Sequence, residues 1–133
     1  MMGYVKPHIF IFSVYRTSET KEDNLKNHNS VMKYLSEWGH DPVELIGRYK
    51  GVDEKSILIT GQKNFDVVKG MCSVYNQETF LESNSDRQTD IIDVNTGERK
   101  RIGILESVTE KEALASRDFS YNPTTELYYM VKL

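Results

Sequence analysis

Two helix-spaced apolar stripes, each bracketed by short β-patterned runs, constrain the fold of this chain more than any other feature. The first runs through Leu25, Val31, Met32, Leu35 and Trp38, with His28 on the same face. The second comprises Phe65, Val68, Met71, Cys72 and Tyr75. An amphipathic helix has one stripe to bury, so both must pack on a common partner.

That partner is supplied by the intervening runs. His8 to Tyr15 is apolar and rich in β-branched and aromatic residues, which predicts a buried first strand before a polar loop from Arg16 to Lys21. The first helix spans Glu22 to Trp38 and stops at Gly39, with Pro42 just beyond. Val43 to Lys50 and Lys55 to Thr60 read as two strands joined by Gly51-Val52-Asp53-Glu54. Asn64 is placed to cap the second helix, with Asp66 in its first turn, and Thr79 to Glu82 begins a fourth strand. The order β-α-β-β-α-β is the ferredoxin-like signature, so the expectation is an α+β sandwich over residues 8–83.

Residues 84–133 read as a β extension of the same single domain. Thr89 to Val94 and Arg101 to Leu105 are expected to form a hairpin closed by Asn95-Thr96-Gly97. Thr109 and Glu112 match a capping box opening a short helix, and Glu126 to Lys132 forms a last strand after Asn122-Pro123.

Composition excludes several classes. With a net charge of −3, the chain lacks the clustered cations that neutralise nucleic-acid phosphates, and it is too weakly acidic to imitate DNA. Its one dense basic cluster, Arg99-Lys100-Arg101, is expected on a solvated strand edge. Cys72 is the only cysteine, so an internal disulfide cannot form, and its place on the helical stripe predicts a core thiol. His8, His28 and His40 have no metal-ligand spacing. The longest apolar run, Ile9-Phe10-Ile11-Phe12, is far short of a bilayer span, and Met1 to Pro7 lacks the features of a secretory leader. A cytoplasmic protein without cofactor or metal is the resulting expectation.

No phosphate-binding loop, dinucleotide fingerprint or nucleophile elbow is present. A catalyst built from this chain must therefore act by positioning an already activated substrate. Polar residues at element junctions are the candidates: Tyr49 and Glu54 around the second strand connection, and Gln77 and Glu78 before the fourth strand. In an open ferredoxin-like sheet these two pairs need not be adjacent within one subunit, and subunits of that fold join through sheet edges. The pairs are thus expected to meet across an oligomer interface.

Several short motifs, in order, resemble the phage-encoded S-adenosylmethionine lyases, formerly called hydrolases. They are Ser13-Val14-Tyr15-Arg16, then Asn24, Leu25 and His28, then Gly47-Arg48-Tyr49, Asp53-Glu54-Lys55 and Asn76-Gln77-Glu78. The connection between Tyr49 and Glu54 is shorter than the family pattern. The resemblance implies a trimer like the PII signalling proteins, with sites between subunits. It implies S-adenosylmethionine as substrate, with 5'-methylthioadenosine and homoserine lactone as products. In that setting Glu54 would hold the α-ammonium or balance the positive charge, and Tyr49 would orient the methionine arm or pack on the sulfonium. Gln77 and Glu78 would bind ribose hydroxyls or the ammonium. Ser13 and Arg16 would line the pocket, Arg16 in a structural or gating role. Two other readings share the expected fold: a non-catalytic PII-like module binding an adenine nucleotide or S-adenosylmethionine, and an inhibitor that contacts a host protein through its Tyr-rich last strand.

Overall fold

A computed structural model describes residues 7–133, and the leader reading of Met1 to Lys6 lies outside them. Its elements are β1 (Ile9–Phe12), α1 (Lys21–Glu37), β2 (Val43–Tyr49), β3 (Val52–Thr60), a short 3-10 turn (Gln62–Asn64), α2 (Phe65–Val74), β4 (Thr79–Ser83), β5 (Gln88–Asp93), β6 (Arg99–Val108), α3 (Glu110–Leu114), β7 (Phe119–Asn122) and β8 (Leu127–Lys132). Eight antiparallel strands close into a barrel in the order β1-β3-β2-β7-β8-β6-β5-β4.

The open ferredoxin-like sandwich is therefore corrected to a closed barrel. Strands β4-β1-β3-β2 are paired side by side, but neither outer strand is left as an edge. β4 continues into β5, and β2 pairs with β7 through Ile46↔Tyr121, Gly47↔Ser120 and Arg48↔Phe119. An unpaired edge leaves a row of N–H and C=O groups without partners, and closure satisfies them within the chain. Residues 84–133 thus build the second half of the barrel rather than an appendage. Among the described strands no free sheet edge is left for the edge-to-edge association expected of an open ferredoxin-like sheet.

The barrel wall carries apolar side chains on both faces. Phe10 and Phe12 point outward and pack with Ile57, Ile59 and Phe80 beneath Val31, Leu35, Val68 and Cys72 of the two helices. Ile9 and Ile11 point inward and meet Leu45, with Leu58, Leu81 and Leu105 around them. All four β1 residues are buried, which explains the unbroken Ile-Phe-Ile-Phe run.

Local chemistry sets the helix ends. Thr20 caps α1 by accepting the Asp23 N–H at 3.1 Å. Asn64 precedes α2 without a side-chain cap; its amide instead donates to the Thr60 carbonyl and accepts from His40 Nδ1. Thr109 caps α3 through the Glu112 N–H at 3.2 Å, as the capping box predicts.

Two further expectations change. Trp38 is 67% exposed and stacks on Tyr34 instead of joining the buried stripe, because the helix ends beside it. The Arg99-Lys100-Arg101 cluster lies on β6, which pairs with both β5 and β8. Arg99 is paired with the buried Glu82, and Arg101 Nε donates to Asp90 at 2.6 Å. The cluster is not on an edge; it bridges carboxylates on neighbouring strands.

Candidate active site

A barrel of eight strands is just wide enough to be filled by side chains or to hold one small ligand. Here the apolar filling stops short of one end, leaving a cavity of about 450 Å³. β1 and β2 finish at this end, and β3 and β4 begin there.

Glu54 is the central polar group. The β2–β3 turn is two residues long, with Lys50 at φ 51° and Gly51 at φ 80°, the left-handed pair that a tight hairpin requires. The short turn puts Glu54 inside β3, directly opposite Gly47, rather than in a loop. Strand alternation then points it into the barrel, and it lines the cavity. Burial raises its pKa above the ordinary 4.5, offset only by a hydrogen bond from Ser13.

Ser13 follows β1 and lines the same cavity. Its hydroxyl donates to the Lys55 carbonyl at 3.1 Å and accepts the Tyr15 N–H at 3.0 Å. The Glu54 carboxylate competes for the same proton, which serves one acceptor at a time.

Gln77 reaches the cavity through a helix end. Asn76 adopts φ 54° and donates its N–H to the Ser73 carbonyl, while the Gln77 N–H bonds Cys72 at 2.8 Å. These two bonds form a Schellman motif with asparagine in the left-handed position. The Gln77 side chain then donates Nε2–H to the Tyr15 carbonyl at 2.8 Å, tying the start of β4 to the segment carrying Ser13.

Tyr49 stands at the mouth, 48% exposed, with Lys50 Nζ 5.3 Å from its ring centre. Ser13, Tyr49, Glu54 and Gln77 thus share one cavity inside a single chain. Of the two pairs expected to meet across an oligomer interface, Tyr49, Glu54 and Gln77 line one cavity within a single chain, and Glu78 does not.

Glu78 and Arg16 stay outside this lining. Glu78 is exposed, and its backbone carbonyl accepts the Val94 N–H at 2.9 Å. Arg16 Nη1 lies 3.7 Å from Glu19. The Arg16 backbone is clasped by Asn24, which accepts its N–H at 2.8 Å and donates to its carbonyl at 2.9 Å.

The carboxy-terminal half contributes residues that motif reading missed. Ser116, Asp118, Ser120 and Tyr129 all line the cavity. The available signal was the alternation Phe119-Ser120-Tyr121-Asn122, aromatic outward and polar inward, four residues before a second aromatic strand. Two arginines near the mouth are already engaged: Arg48 by Asp53 and the carbonyls of Leu114 and Ser116, and Arg117 by the Lys50 carbonyl. Among the described residues no group of three His, Cys, Asp or Glu side chains is placed to hold a metal ion. No described helix is long and apolar enough to cross a membrane.

The model of the S-adenosylmethionine lyase family matches residues 10–132. The chain belongs to this family. The match runs from β1 to β8, so both halves of the barrel fall within it. It is an S-adenosylmethionine lyase, an enzyme that degrades S-adenosylmethionine. No curated protein matches the chain.

Proposed function

We propose that this lyase cleaves S-adenosylmethionine into 5'-methylthioadenosine and homoserine lactone. The substrate's own carboxylate oxygen attacks its γ-carbon as the γ-carbon–sulfur bond breaks. The bonding pair leaves on sulfur, turning the sulfonium into a neutral thioether, and no proton needs to move. The observation that carries this reading is Glu54: a carboxylate held inside a small cavity, with its pKa raised by burial and only a serine hydroxyl for relief.

Such a carboxylate favours a cationic occupant, and S-adenosylmethionine brings two cationic centres, the sulfonium and the α-ammonium. Glu54 holds one of them, while Tyr49 folds the methionine arm back at the mouth. Gln77 and Ser13 fix the walls around the arm. Correct orientation of an intramolecular attack is worth roughly 7–11 kcal/mol, so positioning alone supplies much of the acceleration. Opposite charges cancel as the lactone closes, and a water-poor cavity favours that charge-cancelled transition state.

In a cell the reaction would remove the methyl donor that restriction and methylation systems need. We assign it a counter-defence role for a phage in the host cytoplasm. The test is incubation of purified protein with S-adenosylmethionine, with both products followed by chromatography at early times. Lactone appearing first, free of label from heavy-oxygen water, supports the proposal. Homoserine appearing first and carrying the label establishes hydrolysis instead. Tight binding without methylthioadenosine release leaves a non-catalytic binding module.

A further inference from the structure

A purine ring needs a flat partner, and the cavity's polar wall around Glu54 offers none. Four aromatic residues other than Tyr129 border the cavity, at Phe12, Tyr49, Phe80 and Phe119. Phe12 and Phe80 belong to the outer core beneath the helices. Phe119 lies on the outer face as well, with its ring centre 5.8 Å from Tyr128 and the Arg48 guanidinium 5.2 Å above it. Tyr49 is half exposed at the mouth.

Tyr129 remains, and its place in the sheet is specific. Glu54 pairs with Gly47, Gly47 with Ser120, and Ser120 with Tyr129, so the four form one row across β3, β2, β7 and β8. All four border the cavity. Gly47 has no side chain and Ser120 a small one, which leaves the middle of the row open between a carboxylate and an aromatic ring.

We propose that Tyr129, with Ser120 beside it, forms the nucleoside wall of the cavity, its ring packing on the purine while Glu54 holds the cationic arm. The assignment rests on the substrate reading above, but it can be tested apart from it. Base–aromatic stacking commonly contributes enough to change affinity by about tenfold or more. Tyr129→Leu is expected to raise KM for S-adenosylmethionine about tenfold while kcat changes less than about twofold, the pattern of lost uniform binding. Calorimetric affinity for 5'-methylthioadenosine should fall by the same factor. Tyr129→Phe keeps the ring and should match the parent in both.

An unchanged methylthioadenosine affinity in Tyr129→Leu overturns the proposal, as does a Tyr129→Phe loss equal to that of Tyr129→Leu. A parent protein that does not cleave S-adenosylmethionine sinks the lyase mechanism, yet methylthioadenosine binding still reads the wall. Binding that is lost in Tyr129→Leu supports the wall, and no binding by the parent overturns it. Where circular dichroism shows Tyr129→Leu unfolded, Ser120→Leu is measured in its place; it fills the open middle of the row and should weaken methylthioadenosine binding. Unchanged binding in that variant overturns the proposal.

Discussion

Glu54 and Gly47 face one another across the β2–β3 hairpin, so the position beside the half-buried carboxylate carries no side chain. The strand seam on the other side of Gly47 is equally close. A Cβ built on Gly47 would lie 2.4 Å from the Phe119 carbonyl oxygen, well inside contact distance. Backbone cannot move aside as a flexible side chain would. Gly47→Ala is therefore expected to strain the β2–β7 seam that closes the barrel and to cost about 1–3 kcal/mol of stability. Urea unfolding monitored by circular dichroism measures the loss, and an unchanged midpoint would show that the seam adjusts freely.

Glu54 sets function against stability. Its folded pKa is raised above the ordinary 4.5, with burial as the leading cause. The folded state then holds a proton that the unfolded chain has released, so stability falls as pH rises from 4.5 through the folded pKa. Glu54→Gln removes that penalty and should melt higher than the parent at about pH 7, with the gap closing below pH 4.5. The same change removes a charged contact to substrate, worth about 1.5–3 kcal/mol, and should lower kcat/KM by about ten- to a hundredfold. A variant that is both less stable and fully active would contradict both assignments.

Alternation and helix periodicity made the first six elements readable, because each is a local pattern. Closure was not readable in the same way. β7 is four residues long and its partners β2 and β8 lie on either side of it in space, with β2 about seventy residues away in sequence, so no local signal announces the pairing. The error at Glu54 had a smaller origin. Val52 to Glu54 looks polar and loop-like, yet the two-residue turn at Lys50-Gly51 draws it into β3 and turns a junction residue into an inward-facing one. Gln77 was legible as a junction residue, but not the Schellman turn that delivers it. Glu78 shared its motif and not its direction: it sits at a bend just before β4 and is exposed.

His28 is fully buried, with Nε2 2.9 Å from Glu44 and Nδ1 without a partner. Burial lowers its pKa below 6.5, against the opposing pull of Glu44. The unfolded chain therefore takes up a proton that the folded chain resists, and stability falls as pH drops below 6.5 toward the folded pKa. Glu44 behaves differently. Burial alone would raise its pKa, but Lys55 and His28 outweigh burial and hold it below 4.5, so its contribution is lost only at lower pH. Urea midpoints near pH 7.5 and pH 5.5 are compared in the parent and in His28→Leu, so that the opposite trend of Glu54, common to both proteins, cancels. The parent is expected to lose stability relative to His28→Leu as pH falls between them. Equal changes in the two proteins would assign the acid sensitivity to another group.

Asn76 turns the end of α2 toward the cavity at φ 54°, a conformation that asparagine and glycine tolerate and β-branched residues resist. Gln77 depends on that turn for its hydrogen bond to the Tyr15 carbonyl, and through it for its place beside Ser13. Asn76→Gly should preserve stability to within about 0.5 kcal/mol and leave turnover near the parent value. Asn76→Val should lose about 1–2 kcal/mol and raise KM as Gln77 shifts. Steady-state assays beside thermal melts separate the two effects. A valine variant with weakened stability but parental KM would show that the Schellman turn supports the fold without positioning Gln77 for substrate.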